Sequence, residues 1–183
     1  MLPPEITRLR ATSNTAGGCR IQIVPVEGVA TMPAEVNGTI PSATPIVLAE
    51  GYSWSTITPT RFTQAFSDDW TPLNGARSAR ASLQFAIAKD RAELLGPLWE
   101  LRSQRSLVIH YDENGTAKLI GTVDEPAMVT MTQLQHGVGP GQGENQYAIT
   151  VTCARRRMCP FYLADTGIAG TPPGCPPLSE LLH

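Results

Sequence analysis

The sequence predicts a mainly β fold: an antiparallel β-sandwich or barrel with one packed α-helix and extended arms at both ends. Three observations predict it. Apolar side chains alternate with a period of two in several runs, most cleanly over 82–88, where Leu83, Phe85 and Ile87 point one way. Asn114-Gly115 stands between two apolar runs, a strong short-range hairpin signal. Sixteen glycines and sixteen prolines among 183 residues supply turns and extended segments. Their share, roughly a sixth, exceeds the usual ~12% but stays below the ~25–30% of low-complexity chains.

The elements follow in order. Residues 1–18 show no clean period and read as an N-terminal arm. A strand is expected over 20–26, with Ile21 and Ile23 on one face and Pro25 blunting its end. A long loop or ribbon over 27–45 carries Gly28, Pro33, Gly38, Pro41 and Pro45. Further strands are expected at 46–49 and 52–57, the second with Tyr52 and Trp54 on a shared face. The polar, turn-rich stretch 62–79 reads as a bridge between strands, and Asp124-Glu-Pro126 as a strand break with a bulge or edge.

After the 82–88 strand, Asp90 is a good helix N-cap, and Leu94, Leu95, Leu98 and Leu101 recur at helical spacing. A helix is therefore expected over 91–104. Gly96-Pro97 predicts a kink, or a turn leading into a second piece that starts at Pro97, because proline removes a backbone bond and crowds the preceding turn. A hairpin of 106–111 and 117–123, a strand over 128–134, a mobile glycine loop at 137–144 and a last strand over 146–153 complete the domain. It spans 19–155, and 156–183 forms a Pro/Gly-rich C-terminal arm closed by Leu178, Leu181 and Leu182.

Composition narrows the function. Only 16% of residues are charged, against a typical ~25%, so a large part of the surface is expected to be covered by partners. A net charge of −2 leaves no electrostatic footprint for nucleic acid or an anionic membrane. No run approaches the ~18–20 apolar residues that span a bilayer. Met1-Leu-Pro-Pro-Glu5 lacks the basic-then-apolar pattern of a signal peptide, so the expected compartment is intracellular. Cys19, Cys153, Cys159 and Cys175 match no zinc spacing. Cys153 reads as a core thiol, and Cys159 and Cys175 are close enough in sequence to pair, against the trend in a reducing compartment.

Catalytic motifs are missing: there is no Gly-x-Ser-x-Gly, no phosphate-cradling loop and no His-Glu-x-x-His. His110 stands mid-strand, and Asp68-Asp69 would need a turn to reach one ion, because neighbours in an extended chain point to opposite sides, so loop solvation is the expected role. His136 and His183 have no acidic or thiol partner at useful spacing. No enzyme, cofactor or metal is expected. Arg155, Arg156 and Arg157 suit a solvated strand end or an ion-pair interface, and Trp54, Trp70 and Trp99 suit core or interface anchoring.

The order of features from 80 to 155 carries a resemblance. A strand, a helix opened by Asp90 and a second strand lead to the turn Asp112-Glu-Asn-Gly115. Leu119-Ile-Gly-Thr122, Glu125-Pro126, a glycine-rich loop and Asn145-Gln-Tyr-Ala-Ile-Thr-Val-Thr152 follow. This resembles the tail-tube fold of long-tailed bacteriophages, shared by tube, distal tail and adaptor proteins. It covers less than half of the chain. The resemblance implies a virion structural protein, assembled in the host cytoplasm, that forms a ring with copies of itself, sixfold by analogy. It would contact neighbouring tail or connector proteins, pass DNA in transit without sequence-specific binding, and touch no membrane. Leu83, Phe85, Ile87, Leu107, Ile109, Tyr147, Ile149 and Val151 would build the core, sealed by Leu94, Leu98 and Leu101. Trp70, Arg155, Arg156, Arg157, Leu178, Leu181 and Leu182 are the candidate interface residues. The alternative is a carbohydrate- or receptor-binding module that uses Tyr52, Trp54 and Trp70.

Overall fold

The computed structural model describes residues 18–60, 63–73, 76–88, 92–102, 104–112, 116–135 and 146–164. In chain order these form β1 (Gly18–Pro25), a 3-10 turn (Val26–Gly28), β2 (Val29–Thr31), β3 (Thr39–Ile40), β4 (Val47–Leu48) and β5 (Ser55–Ile57). Next come β6 (Ala65–Leu73), β7 (Ala76–Ala88), α1 (Ala92–Leu101), β8 (Arg105–Asp112) and β9 (Ala117–Ile120). The last are β10 (Ala127–Gln135), β11 (Gln146–Arg155) and β12 (Phe161–Tyr162). Of the arm expected over 1–18, residues 1–17 lie outside the described residues and Gly18 opens β1; the helix cap Asp90, the loop 137–144 and the tips Asn74-Gly75 and Asn114-Gly115 also lie outside them. So do His136, Cys175, Leu178, Leu181, Leu182, His183 and the side chain of Leu94.

The fold is mainly β with one short helix, as expected, but the main sheet is mixed and open. Its strands run β3-β12-β9-β8-β10-β11-β7-β6, with β1 paired to β8 and β5 paired to β1. All of these pairs are antiparallel except β12–β3, which is parallel. Among the described residues no ladder joins the ends of the path, β3 and β6, so no closed barrel is formed. β2 and β4 form a separate pair.

β8 is the hub. One edge pairs with β1 over most of its length. The other edge is shared: Arg105 and Ser106 pair with β10, and Val108 to Tyr111 pair with β9. The crossing depends on Gly121, whose φ is +89° and at which a Cβ would stand 2.7 Å from the Ala127 nitrogen. Only glycine combines that dihedral with that approach. The expected break at Pro126 falls here, and the irregular register in β10 comes later, between Met131 and Gln133.

Six successive residues of β8, Ser106 to Tyr111, are buried, because the alternating side chains feed two apolar clusters on opposite faces. Val108 joins Ile21, Ile23, Leu83, Phe85, Ile87, Leu98, Tyr147, Ile149 and Val151 in the larger cluster, with Leu101 packed against it. Leu107 and Ile109 face the other way, against Ile40, Ile46, Trp54 and Tyr162. The single core expected from the sequence is therefore two, divided by β1, β8 and β9. The cover of the second core comes from the segment read as a loop over 27–45 and from residues beyond 156. Tyr162 and Ala164 are buried, and Cys159 enters the first cluster. The expected C-terminal arm is thus packed into the domain through residue 164.

Two further expectations change. The stretch 62–79, read as a bridge, holds β6 and the start of β7, paired from Ala65↔Gln84 to Leu73↔Ala76. Tertiary pairing with β7 overrides its polar composition. α1 runs from Ala92 to Leu101 without interruption across Gly96-Pro97. Leu98, on its inner face, is 6% exposed and seals the first core.

Candidate functional site

The sequence-predicted polar residues do not converge. Asp68 and Asp69 pair with Ala81 and Arg80 as neighbours in β6, so their side chains take opposite faces. His110 is buried in β8, accepts a hydrogen bond at Nδ1 from the Gln64 amide (3.1 Å) and packs on the Phe66 ring. Burial lowers its pKa to about 4, with the nearby Asp112 carboxylate opposing the shift. An imidazole in this setting stays neutral at physiological pH and serves as a packed hydrogen-bond partner. Among the described residues, no group of three or more His, Cys, Asp or Glu side chains is placed to hold a metal ion.

The expected Arg155–Arg157 interface divides. Arg155 is 7% exposed and lies inside the chain. Its guanidinium faces Glu35 at 3.7 Å and Glu125 at 3.9 Å, and Nη1 donates to the Leu119 carbonyl at 3.4 Å. The end of β11 is thereby pinned to the segment covering the second core. Arg156 is exposed and contacts Glu125 at 3.9 Å, and Arg157 is exposed.

The thiols are also internal. Cys153 and Cys159 are free and buried, so the suggested pairing of Cys159 with Cys175 is not made. Burial pushes Cys153 up to about 11 and Cys159 up to about 12, the latter with help from the Asp68 carboxylate. Cys19, at the start of β1, is disulfide-bonded.

The three tryptophans part company. Trp54 is buried in the second core, whereas Trp70 on β6 is 51% exposed and Trp99 on α1 is 57% exposed beneath the Arg102 guanidinium. β6 has a single ladder neighbour among the described residues, β7, and its other edge has no partner among them. β7 extends beyond its last β11 partner, Ala79, back to Ala76, so the β6–β7 hairpin continues past the end of the β11 ladder, and Trp70, opposite Ala79, stands level with that end.

A concavity lies elsewhere. A cleft of about 590 Å³ opens between α1 and β5. Its floor is made by Ile23, Ile87 and Leu98, side chains already fixed in the first core. Its rim carries the exposed Tyr52, Ser53, Ser55 and Thr56, with Ser55 and Thr56 on opposite faces of β5, and Glu100 and Gln104 from the end of α1 and just beyond it. Sequence analysis singled out Tyr52 but not the rest, because no spacing links 52–58 to 98–104. Tyr52 also does not share a face of a strand with Trp54: the strand starts only at Ser55.

No family model matches this chain, and neither a curated protein nor a solved structure does. Among the described residues, no helix is long and apolar enough to cross a membrane.

Proposed function

We propose that this chain is a non-enzymatic structural subunit that assembles with copies of itself into a ring, in or next to a bacteriophage tail. In this proposal it has a tail-tube-like fold whose open sheet is completed by neighbouring copies. The observation that carries the proposal is that the outer edge of β6 has no ladder partner among the described residues, with Trp70 exposed on that strand. A nine-residue edge strand with an exposed aromatic anchor offers backbone groups and apolar surface for pairing with another chain. The low charge of the chain supports the same conclusion, because subunit surfaces that become buried are depleted of charge. A heterologous contact repeated by rotation gives a ring. The slightly negative net charge suits a conduit that lets DNA pass without holding it.

Light scattering and negative-stain microscopy of the purified full-length chain test the proposal. Closed rings, with sixfold symmetry as the expected count, support it, and Trp70→Asp should shift the population toward monomer. A chain that stays monomeric, with particle assembly unaffected by removal of 1–17 and 165–183, overturns it.

A further inference from the structure

We propose that the cleft between α1 and β5 is a binding site for a neutral saccharide of one or two rings, with Tyr52 as its stacking platform. This site is separate from the β6 edge and does not depend on ring assembly.

Tyr52 is held in place from behind. Its backbone N–H donates to the Ala49 carbonyl at 3.1 Å, and Ala49 in turn donates to the Gly28 carbonyl at 2.9 Å. The ring lies directly on the backbone at Gly28: a Cβ there would fall 2.5 Å from Cδ1 and 2.7 Å from Cγ. The missing side chain at 28 is thus what lets the Tyr52 ring occupy this position beside the cleft. Tyr52 nonetheless remains 45% exposed. An aromatic ring held against the backbone and still partly exposed can offer π surface to polarised C–H groups at little ordering cost.

The lining selects the ligand class. Its volume falls within the ~300–1,000 Å³ of small-molecule sites. Its described lining carries a carboxylate, Glu100, which disfavours a phosphate, sulfate or carboxylate beside it. A purely apolar ligand would leave the Ser53 and Ser55 hydroxyls and the Gln104 amide without partners where it covers them. A sugar ring answers both requirements. Its C–H face stacks on Tyr52, and its hydroxyls exchange hydrogen bonds with those side chains and with the Glu100 carboxylate. The apolar floor of Ile23 and Leu98 limits the depth, so the ligand lies along the mouth.

The test is a chemical-shift titration of the isotopically labelled full-length protein with cellobiose, maltose, lactose and chitobiose, alongside glucose 6-phosphate as the charged comparison. At least one neutral disaccharide is expected to give saturable shifts confined to 51–58 and 98–104. Tyr52→Ala should weaken that binding about tenfold, whereas Tyr52→Phe, which keeps the ring, should hold it within about threefold. Trp70→Ala serves as a distant control and should leave it unchanged, and the amide spectrum of each variant reports whether the fold is retained. Four results overturn the proposal: no saturable shifts with any neutral sugar, shifts mapping to another surface, equal binding of the charged sugar, or binding indifferent to Tyr52→Ala. Preferential binding of an extended peptide along the open β5 edge, with no sugar response, also overturns it.

Discussion

The Asp68 carboxylate accepts a hydrogen bond from the Cys159 backbone N–H at 2.6 Å. Asp68 lies on β6, at one end of the sheet order, and Cys159 shortly precedes β12, near the other end. A side chain thus joins regions that no ladder connects. Asp68→Ala leaves the Cys159 N–H without its acceptor, and the expected loss is about 1–3 kcal/mol in urea unfolding. Asp68→Asn keeps an oxygen acceptor and should lose less. Hydrogen exchange at the Cys159 amide should accelerate more in the Ala variant than in the Asn variant, and equal rates in both would contradict this assignment.

His110 makes stability depend on pH in a definite direction. Its pKa is lowered to about 4 in the folded chain, against an unfolded value of 6.5. Between those values the unfolded state binds more protons, so stability is intact above about pH 6.5 and falls as the pH drops toward 4. The full loss is about 3 kcal/mol. His110→Gln cannot take up that proton. Its unfolding free energy, measured between pH 4 and 7, should therefore show a shallower slope than that of the unsubstituted chain, whatever its value at neutral pH.

Cys153 and Cys159 should be inert in the native protein. With pKa values pushed up to about 11 and 12 by burial, the reactive thiolate is a minute fraction at neutral pH. Alkylation by iodoacetamide, followed residue by residue by mass spectrometry, should track unfolding in urea. Fast modification of either cysteine in buffer alone would show that the site opens locally.

Gly121 should be the least replaceable of the positive-φ glycines among the described residues. A Cβ at that position meets the Ala127 nitrogen at 2.7 Å and the Ser106 carbonyl oxygen at 3.0 Å, both backbone atoms of the β8–β10 junction. Gly51 has a similar φ of +84° but open space around it. Gly51→Ala should lose only the conformational preference, about 1 kcal/mol. Gly121→Ala adds a steric conflict that only a backbone shift relieves, so its loss should be at least twice as large in parallel thermal melts.

The elements that local pattern determines were legible in the sequence. Leu83, Phe85 and Ile87 share the first core as their alternation requires, and Tyr147, Ile149 and Val151 pair beside them. Leu98 closes that core from the one helix. What period and turn chemistry cannot encode is which face meets what. Leu107 and Ile109 read as companions of Leu83, yet they belong to a second core, because β8 is covered on both sides by segments distant in sequence. β6 looked like a polar bridge until β7 supplied its ladder, and Arg155 looked like a surface group until Glu35 and Glu125 enclosed it. The cleft unites Tyr52 with Glu100 and Gln104 only through the pairing of β5 with β1 and the seating of α1 on the first core. Sequence by itself determined the strands of clean alternation, β7, β8 and β11 among them, the single helix and the low charge, since each depends on residues near one another in the chain. Tertiary structure decided the open sheet, the two cores and the cleft, since each depends on contacts whose partners lie tens of residues apart.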